Sequence, residues 1–297
     1  MRRLIAASIA FAALAMSQAS AADMALKAPP TPAVFSWMGF YGGANAGYSW
    51  GNSSNNWNMF AANIGGATAC PPAANTVCLT GADSDRLNGV LGGVQIGYNW
   101  QTGRYVFGIE TDFDGTGQRG SQTFNAVNGG AFAVAPAPMT AAYSEKLLWL
   151  GTLRGRVGIA SDRTFFYATG GLAYGEVRNT GSATIAGLNV PGPAGPPCAV
   201  TPPAVGTCPL ANWNNTAVRA GWALGGGIEQ ALFGNWSVRL EYLFVDLGRV
   251  NTAFATLPGC FGGTGAACSP VVAGTGTISS RITDSLLRVG LNYKFGG

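Results

Sequence analysis

Histidine is missing altogether from the 297 residues, and charged residues make up only 10% of the chain. Without an imidazole, the sequence lacks the usual general base of nucleophilic catalysis and the commonest metal ligand. Beyond residue 21, no stretch reaches the roughly 20 consecutive apolar residues that a membrane-spanning helix needs. The net charge of +4 is small and forms no long basic run, so nucleic acid is not an expected partner.

Glycine and short apolar stretches are what the chain has in excess. Hydrophobic residues account for 47% of the sequence, and the 45 glycines are about twice the usual share. The apolar residues are scattered in short, interrupted segments. A chain of this kind is either a large soluble all-β domain or a membrane β-barrel.

The N-terminus has the three parts of a secretory signal. Arg2 and Arg3 are basic, residues 4–16 are apolar, and Ala19, Ser20 and Ala21 form a small-residue cleavage site. The apolar part is too short for a membrane anchor. We therefore predict a signal peptide at 1–21, a Pro-rich periplasmic linker at 22–36 and a barrel domain at 37–297.

The six cysteines occur as three local pairs in segments rich in proline and glycine. Six cysteines allow many pairings, and proximity alone favours the local ones. C-x-x-C spacing is absent, and an exported chain meets an oxidising compartment, so we expect disulfides rather than a metal site. The favoured pairs are Cys70 with Cys78, Cys198 with Cys208, and Cys260 with Cys268.

Apolar and polar residues alternate with a period of two in eight segments, which predicts β-strands with two different faces. In the last segment, Leu287, Val289 and Leu291 share one face, whereas Arg288 and Asn292 share the other. The phase of the fifth segment is ambiguous. The eight segments are 37–51, 88–100, 105–113, 147–159, 165–177, 217–229, 236–247 and 285–295.

The connections between these segments alternate in length. Three are short, at 101–104, 160–163 and 231–235, and four run to about thirty residues, near 52–84, 115–142, 179–214 and 249–280. This pattern predicts an all-β, transmembrane, antiparallel up-and-down barrel of eight strands, with short periplasmic turns and long extracellular loops. A soluble secreted barrel that binds an apolar ligand remains an alternative, and it would require the apolar face inside.

Several motifs occur in an order that resembles the small outer-membrane surface antigens of alphaproteobacteria. These are the outer-membrane immunogenic or porin-family barrels of the OmpA-like superfamily. The motifs are W-M-G-F-Y-G-G-A-N-A-G-Y-S-W-G at 37–51, F-G-I-E-T-D-F at 107–113, G-T-L-R-G-R-V-G at 151–158 and L-L-R-V-G-L-N-Y-K-F at 286–295.

The resemblance implies an eight-stranded barrel in the bacterial outer membrane. It also implies that Tyr293 and Phe295, the final aromatics, are the signal read by the barrel-assembly machinery. Barrel enzymes of this membrane generally rely on a histidine, so this chain looks unlike them. The cysteine-bearing loops look like an elaboration on shorter loops in the family.

The polar faces of the predicted strands would place many charged residues in the barrel interior. Buried charges need partners, so we expect Glu110 beside Arg154 or Arg156, and Glu241 beside Arg288. The ion pairs would either form a gate for small solutes or neutralise a filled core. The predicted lumen residues are Glu110, Asp112, Arg154, Arg156, Arg219, Glu229, Arg239, Glu241 and Arg288, with Lys294 on the same face.

Aromatic residues cluster near both ends of the predicted strands. Seven flank the short turns and predict a periplasmic interfacial girdle: Trp100, Tyr105, Phe165, Phe166, Trp236, Tyr293 and Phe295. Trp50, Trp57 and Trp213 lie at the loop ends and would belong to an outer girdle or to a partner-binding surface.

Together these features predict a non-enzymatic structural outer-membrane barrel that displays disulfide-stapled surface loops. Its role would be envelope integrity and display of a surface antigen or adhesin. The alternative is a narrow porin that passes small solutes through a lumen gated by ion pairs. No cofactor is expected. The expected partners are outer-membrane lipid, the barrel-assembly machinery at the C-terminal strand, and a host or surface ligand at the loops.

Overall fold

The computed structural model describes residues 35–62, 76–127, 138–188, 206–255, 259–260, 270–271 and 275–296. Within these ranges, it contains no helix long and apolar enough to cross a membrane. The strands are β1 (Gly39–Ala62), β2 (Thr76–Thr102), β3 (Tyr105–Thr116), β4 (Arg119–Val127), β5 (Pro138–Ser161), β6 (Thr164–Leu188), β7 (Gly206–Ala231), β8 (Trp236–Ala255), β9 (Gly259–Cys260), β10 (Pro270–Val271) and β11 (Thr275–Phe295).

The main sheet closes on itself. β1 pairs with β2 on one side and with β11 on the other, and every pairing in the sheet is antiparallel. β3 and β4 lie between β2 and β5 and are separated only by Gly117 and Gln118, so they act as one strand of a ring of eight. Closure leaves no open edge in the apolar band, as a sheet in lipid requires, although β2 and β4 pair only at Asn88 and Arg119 above it. β9 and β10 pair only with each other.

Three tight turns join strands at one end of the barrel, which we call the turn end. The backbone enters the left-handed region at Gly103 (φ 59°), Asp162 (φ 50°) and Gly234 (φ 54°). Glycine tolerates this conformation without strain, and Asp is among the few other residues that adopt it readily. The three turns occur where short connections were predicted, and they lie on the periplasmic side in outer-membrane barrels.

The outside of the barrel is apolar and the inside is largely polar. Val90, Leu172 and Val218 point outward with about two thirds of their surface exposed (66%, 63% and 64%). Glu110 and Arg154 are buried inside. This arrangement confirms the predicted faces and is the reverse of the soluble barrel considered as an alternative.

The ambiguous phase of the fifth predicted segment, now part of β6, is settled by burial. Phe166 and Leu172 are exposed, whereas Tyr167 and Thr169 are buried. Phe165 therefore also points inward, and its assignment to the periplasmic girdle was wrong. Phe165 and Phe166 are adjacent, and successive side chains of a strand point to opposite faces, so only one of them can face lipid.

The strands are longer than predicted. β1 continues to Ala62 and β2 begins at Thr76, so much of the expected loop near 52–84 is a two-stranded ribbon. The other long connections are shortened in the same way. In these extensions the outward face meets water instead of lipid, and both faces are mainly polar, as in N-S-S-N-N at 52–56. The apolar alternation that marks a membrane strand is therefore absent, although the strand continues.

Three of the six cysteines fall within described strands. Cys78 lies in β2, Cys208 in β7 and Cys260 in β9. Their expected partners, Cys70, Cys198 and Cys268, lie outside the described residues, as do the predicted signal peptide and nearly all of the Pro-rich linker. The disulfide pairing and the cleavage site therefore stay predictions.

Candidate functional site

Glu110, on β3, lies at the centre of a buried layer of ion pairs inside the barrel. Its Oε1 atom is 2.7 Å from Arg154 Nη2, and its Oε2 atom is 3.3 Å from Arg156 Nη1. Oε2 also contacts Arg239 and accepts a hydrogen bond of 2.7 Å from the Tyr41 hydroxyl. These side chains come from four strands, so the contacts tie together distant parts of the ring.

Arg288, on β11, organises the other side of this layer. Its guanidinium lies 3.2 Å from Asp112 Oδ2 and 2.6 Å from Asp114 Oδ2, and it also contacts Glu241. Arg154 bridges the two halves, because it contacts Asp112 at 2.7 Å and Glu241 at 3.1 Å as well as Glu110. The structure thus brings together the residues that were expected to pair.

Four arginines face five carboxylates in what we call the ionic layer. The layer consists of Arg154, Arg156, Arg239 and Arg288 with Glu110, Asp112, Asp114, Glu229 and Glu241. It therefore carries one more carboxylate than guanidinium. Glu229 completes it through Arg156 Nη2 at 2.8 Å and through hydrogen bonds donated by the Ser237 hydroxyl and the Asn292 amide.

Arg219 does not join the ionic layer. It lies nearer the loop end, where its Nη2 atom is 3.5 Å from Glu145 Oε1 and donates to the Ser280 hydroxyl at 2.7 Å. Lys294 also lies apart, at the turn end, where its ammonium donates to the Ser36 carbonyl at 2.7 Å. Sequence periodicity placed both on the lumen face, but it could not show their height along the barrel.

Aromatic residues close the turn end of the lumen. Trp37 lies just before β1, is buried, and packs against Phe165 with ring centroids 5.4 Å apart. The Arg156 guanidinium lies over the Tyr167 ring, with its Cζ atom 4.1 Å from the ring centroid. Its positive charge therefore contacts the face of this aromatic ring. A cavity of about 10 Å³ beside Trp37 has room for one water molecule at most. We call Trp37, Phe165 and Tyr167 the turn-end plug.

Apolar side chains fill the lumen directly above the ionic layer, on its loop side. Leu150, Leu243 and Leu286 are fully buried there, and each lies two residues along its strand from a buried polar residue, namely Thr152, Glu241 and Arg288. We call this group the apolar layer: Leu91, Leu147, Leu150, Ala173, Val177, Ala223, Leu243, Val245, Leu247, Ile282 and Leu286. It resembles the core of a soluble protein, because its side chains are removed from both lipid and water.

A second aromatic group closes the strand extensions at the loop end. Trp57 packs edge-on against Phe124 with ring centroids 4.2 Å apart, and it also contacts Tyr143 and Trp213. Trp57 and Trp213 point inward and are buried, so their assignment to an outer girdle or exposed binding surface was wrong. We call these four residues the aromatic cap.

The buried carboxylates of the ionic layer are all paired with arginines. Each carboxylate of the ionic layer contacts at least one arginine, which holds it as a counter-ion rather than as a free base. Among the described residues, no group of three or more Cys, Asp or Glu is placed to hold a metal ion. Sequence reasoning missed Asp114 and Tyr41 as members of this network, although both lie on the polar face of their strands.

These observations define the class: an eight-stranded barrel with an apolar exterior and a filled, charge-paired lumen. The model of the outer membrane protein beta-barrel domain matches residues 8–295. The chain belongs to this family, and it is a protein of the bacterial outer membrane.

Relatives agree with this assignment. The chain is 32% identical to the 31 kDa outer-membrane immunogenic protein of Brucella melitensis, over 99% of this chain and 100% of that protein. It is 26% identical to the 22 kDa outer membrane protein of Rhizobium leguminosarum, over 75% of this chain and 69% of that protein.

Solved structures that match include two barrels of low sequence identity. The outer membrane protease OmpT of Escherichia coli matches with a TM-score of 0.40 and 6% identity, over 86% of this chain and 97% of that chain. Ail of Yersinia pestis matches with a TM-score of 0.24 and 8% identity, over 82% of this chain and 97% of that chain.

Proposed function

We propose that this protein is a non-conducting, non-enzymatic structural barrel whose activity lies on its extracellular surface. The observation that carries the proposal is the filling of the lumen at four successive heights. These are the turn-end plug, the ionic layer, the apolar layer and the aromatic cap. The polar groups buried at the height of the apolar layer already bind one another, because Gln118 donates to Ser49 and to Asp284. An ion crossing this layer would therefore lose its hydration and would have to displace these side chains, which is strongly unfavourable.

The extracellular surface then consists of the strand extensions and the connections between them. We propose that these connections are stapled by disulfides and act as a surface antigen or as an adhesin for a host or surface ligand. The support is indirect. The Brucella relative is named an immunogenic protein, and Cys78 and Cys208 lie near the start of β2 and β7, just after the connection that precedes each strand.

We also propose that the barrel-assembly machinery recognises the C-terminal strand through Tyr293 and Phe295. Both side chains are exposed on the lipid face of β11, with ring centroids 5.4 Å apart. β11 forms the closing pair with β1, where Phe295 lies opposite Phe40. β11 is the last strand of the chain, so its edge is free for recognition until it pairs with β1.

Single-channel recording in planar bilayers tests the filled lumen against the narrow-porin alternative. The folded protein should give no reproducible conductance steps. Leu286→Ala widens the apolar layer, whereas Leu287→Ala makes the same change on the lipid face and is the matched control. Reproducible steps whose size changes with Leu286→Ala but not with Leu287→Ala would establish a pore through the lumen and overturn the proposal.

Gel mobility without reductant tests the stapled loops. Under denaturing conditions the oxidised protein should migrate faster than the reduced protein, because disulfides keep the unfolded chain compact. Replacing Cys198 and Cys208 together should remove part of this difference and leave heat-modifiable folding intact. Identical mobility with and without reductant would rule out the disulfides while leaving the barrel itself unaffected.

A further inference from the structure

Six basic side chains point outward from the barrel wall at its loop side. All six are exposed. Along each of their strands, from the lipid-facing apolar positions toward the loop end, this side chain is the first basic one. We call them the cationic collar: Arg86 on β2, Arg119 on β4, Lys146 on β5, Arg178 on β6, Arg249 on β8 and Arg281 on β11.

Several collar residues are direct neighbours across strands. Arg119 lies opposite Lys146, and Lys146 lies opposite Arg178, so three positive charges stand side by side. Arg249 and Arg281 are likewise opposite each other. Like charges that face each other across a sheet are destabilising unless an anion lies between them.

The protein supplies little negative charge to this surface. Within the described part of the chain, the only ion pair of a collar residue joins Arg281 to Asp246. Glu176, which lies two residues from Arg178, accepts a hydrogen bond from the Trp149 indole at 2.6 Å instead. Segments 63–75, 128–137, 189–205 and 256–274 contain no Asp or Glu in their sequence, so they bring no counter-charge.

The collar lies at the boundary between the exposed apolar band of the barrel and the polar strand extensions. Next to Arg86, an outward-facing groove of about 420 Å³ is lined by Trp50, Phe244 and Asn88. Asp284 also borders the groove, but its Oδ2 atom accepts a hydrogen bond from Gln118 Nε2 at 2.5 Å on the lumen side. Interfacial aromatics beside a cation suit an amphipathic ligand with an anionic head.

We propose that the cationic collar binds the phosphate groups of outer-leaflet lipid headgroups. The phosphates lie between Arg119, Lys146 and Arg178 and relieve the repulsion of these three charges. Arginine is suited to this role because its planar guanidinium donates two parallel hydrogen bonds to a phosphate. The acyl chains of the same lipid then cover the apolar exterior below the collar.

Titration of the detergent-solubilised, folded protein with diphosphoryl lipid A tests this proposal, read by tryptophan fluorescence. Arg119→Gln with Arg178→Gln removes two collar charges. Arg104→Gln with Arg163→Gln removes two arginines exposed at the turn end and is the matched control. Each charge near a lipid surface should change affinity about fivefold, so the collar variant should bind roughly 25-fold more weakly. The control should bind like the original protein.

Three further measurements distinguish binding of lipid phosphate from binding of free phosphate. Dephosphorylated lipid A should bind the original protein about as weakly as diphosphoryl lipid A binds the collar variant. Lys146→Gln alone should weaken binding of diphosphoryl lipid A about fivefold. Inorganic phosphate at the same concentration should not displace the lipid. Equal loss in both double variants, unchanged affinity for dephosphorylated lipid, or displacement by inorganic phosphate would each overturn the proposal.

Discussion

Arg288 permits the most direct test of the ionic layer. Replacing it with methionine keeps most of its apolar stem and removes the guanidinium. Asp112, Asp114 and Glu241 then each lose a contact. Since the layer already holds one more carboxylate than guanidinium, the excess rises to two. Breaking a buried ion pair by removing one partner costs about 3–5 kcal/mol of unfolding free energy, and we expect the upper part of this range.

Asp114→Asn is the matched control, because it preserves side-chain shape and removes the carboxylate whose one ion pair is with Arg288. The layer then has equal numbers of carboxylates and guanidiniums. We expect a loss of about 1 kcal/mol, the ordinary net value of a hydrogen bond. The double variant returns the excess to one carboxylate. Its loss should therefore be smaller than the sum of the single losses by at least about 1 kcal/mol.

Urea unfolding of the protein in phosphatidylcholine vesicles measures these differences, with tryptophan fluorescence as the signal. Heat-modifiable gel mobility establishes that each variant is folded before unfolding begins. Two results would refute the reasoning. One is an equal loss for Arg288→Met and Asp114→Asn. The other is a double variant whose loss equals the sum of the single losses to within about 0.5 kcal/mol, which would mean that the two groups are not coupled.

Three further perturbations probe other parts of the barrel. Val289→Arg puts a charge on the lipid face and should cost about 2–4 kcal/mol in vesicle unfolding, whereas Val289→Ala should cost far less; equal losses would contradict an outward Val289. Gly43→Ala should destabilise the barrel, because its new Cβ would lie 2.1 Å from the Leu291 carbonyl oxygen. The Cβ atom added by Gly81→Ala meets no atom within 4 Å, so this variant should not lower the midpoint of urea unfolding. Burial raises the pKa of the Asp85 carboxyl, at the extracellular side of the apolar band. The folded state therefore holds this proton more tightly than the unfolded chain does, and stability falls as pH rises through the raised pKa. Asp85→Asn should accordingly stabilise the protein at about pH 8 and lose this advantage at about pH 3, and an advantage independent of pH would argue against the titration.

The sequence predicted the fold wherever lipid lies on one side of a strand. Between Leu287 and Asn292, for example, each outward residue is apolar and each inward residue is polar or glycine, so burial could be read from alternation. The three tight turns were predictable for a related reason, since each interrupts this alternation with residues that tolerate a left-handed backbone.

Prediction from sequence failed where the two faces of a strand meet similar surroundings. In the extension of β1, Ser53 and Asn55 point inward and Ser54 and Asn56 point outward, so polarity does not distinguish the faces. Trp57 was assigned to an outer girdle or a partner-binding surface from its place at a loop end, yet it is buried in the aromatic cap. Height along the barrel was equally hidden, because it depends on the register between strands rather than on the pattern within one.

The ionic layer also fixes the register between strands, which a lumen filled only with leucine would not do. Arg288 lies opposite Gly47 on one side, which leaves room for the guanidinium, and opposite Glu241 on the other, which pairs with it. A shift of β11 by one residue would turn Arg288 toward lipid, at a cost of about 2–4 kcal/mol, and would also break its contacts with three carboxylates. If the inward face were apolar like the outward one, the same shift would exchange one apolar surface for another and cost little. The buried charges therefore help to fix which face of each strand meets lipid, and at β11, the strand whose pairing with β1 closes the ring, Arg288 does so through contacts with three carboxylates.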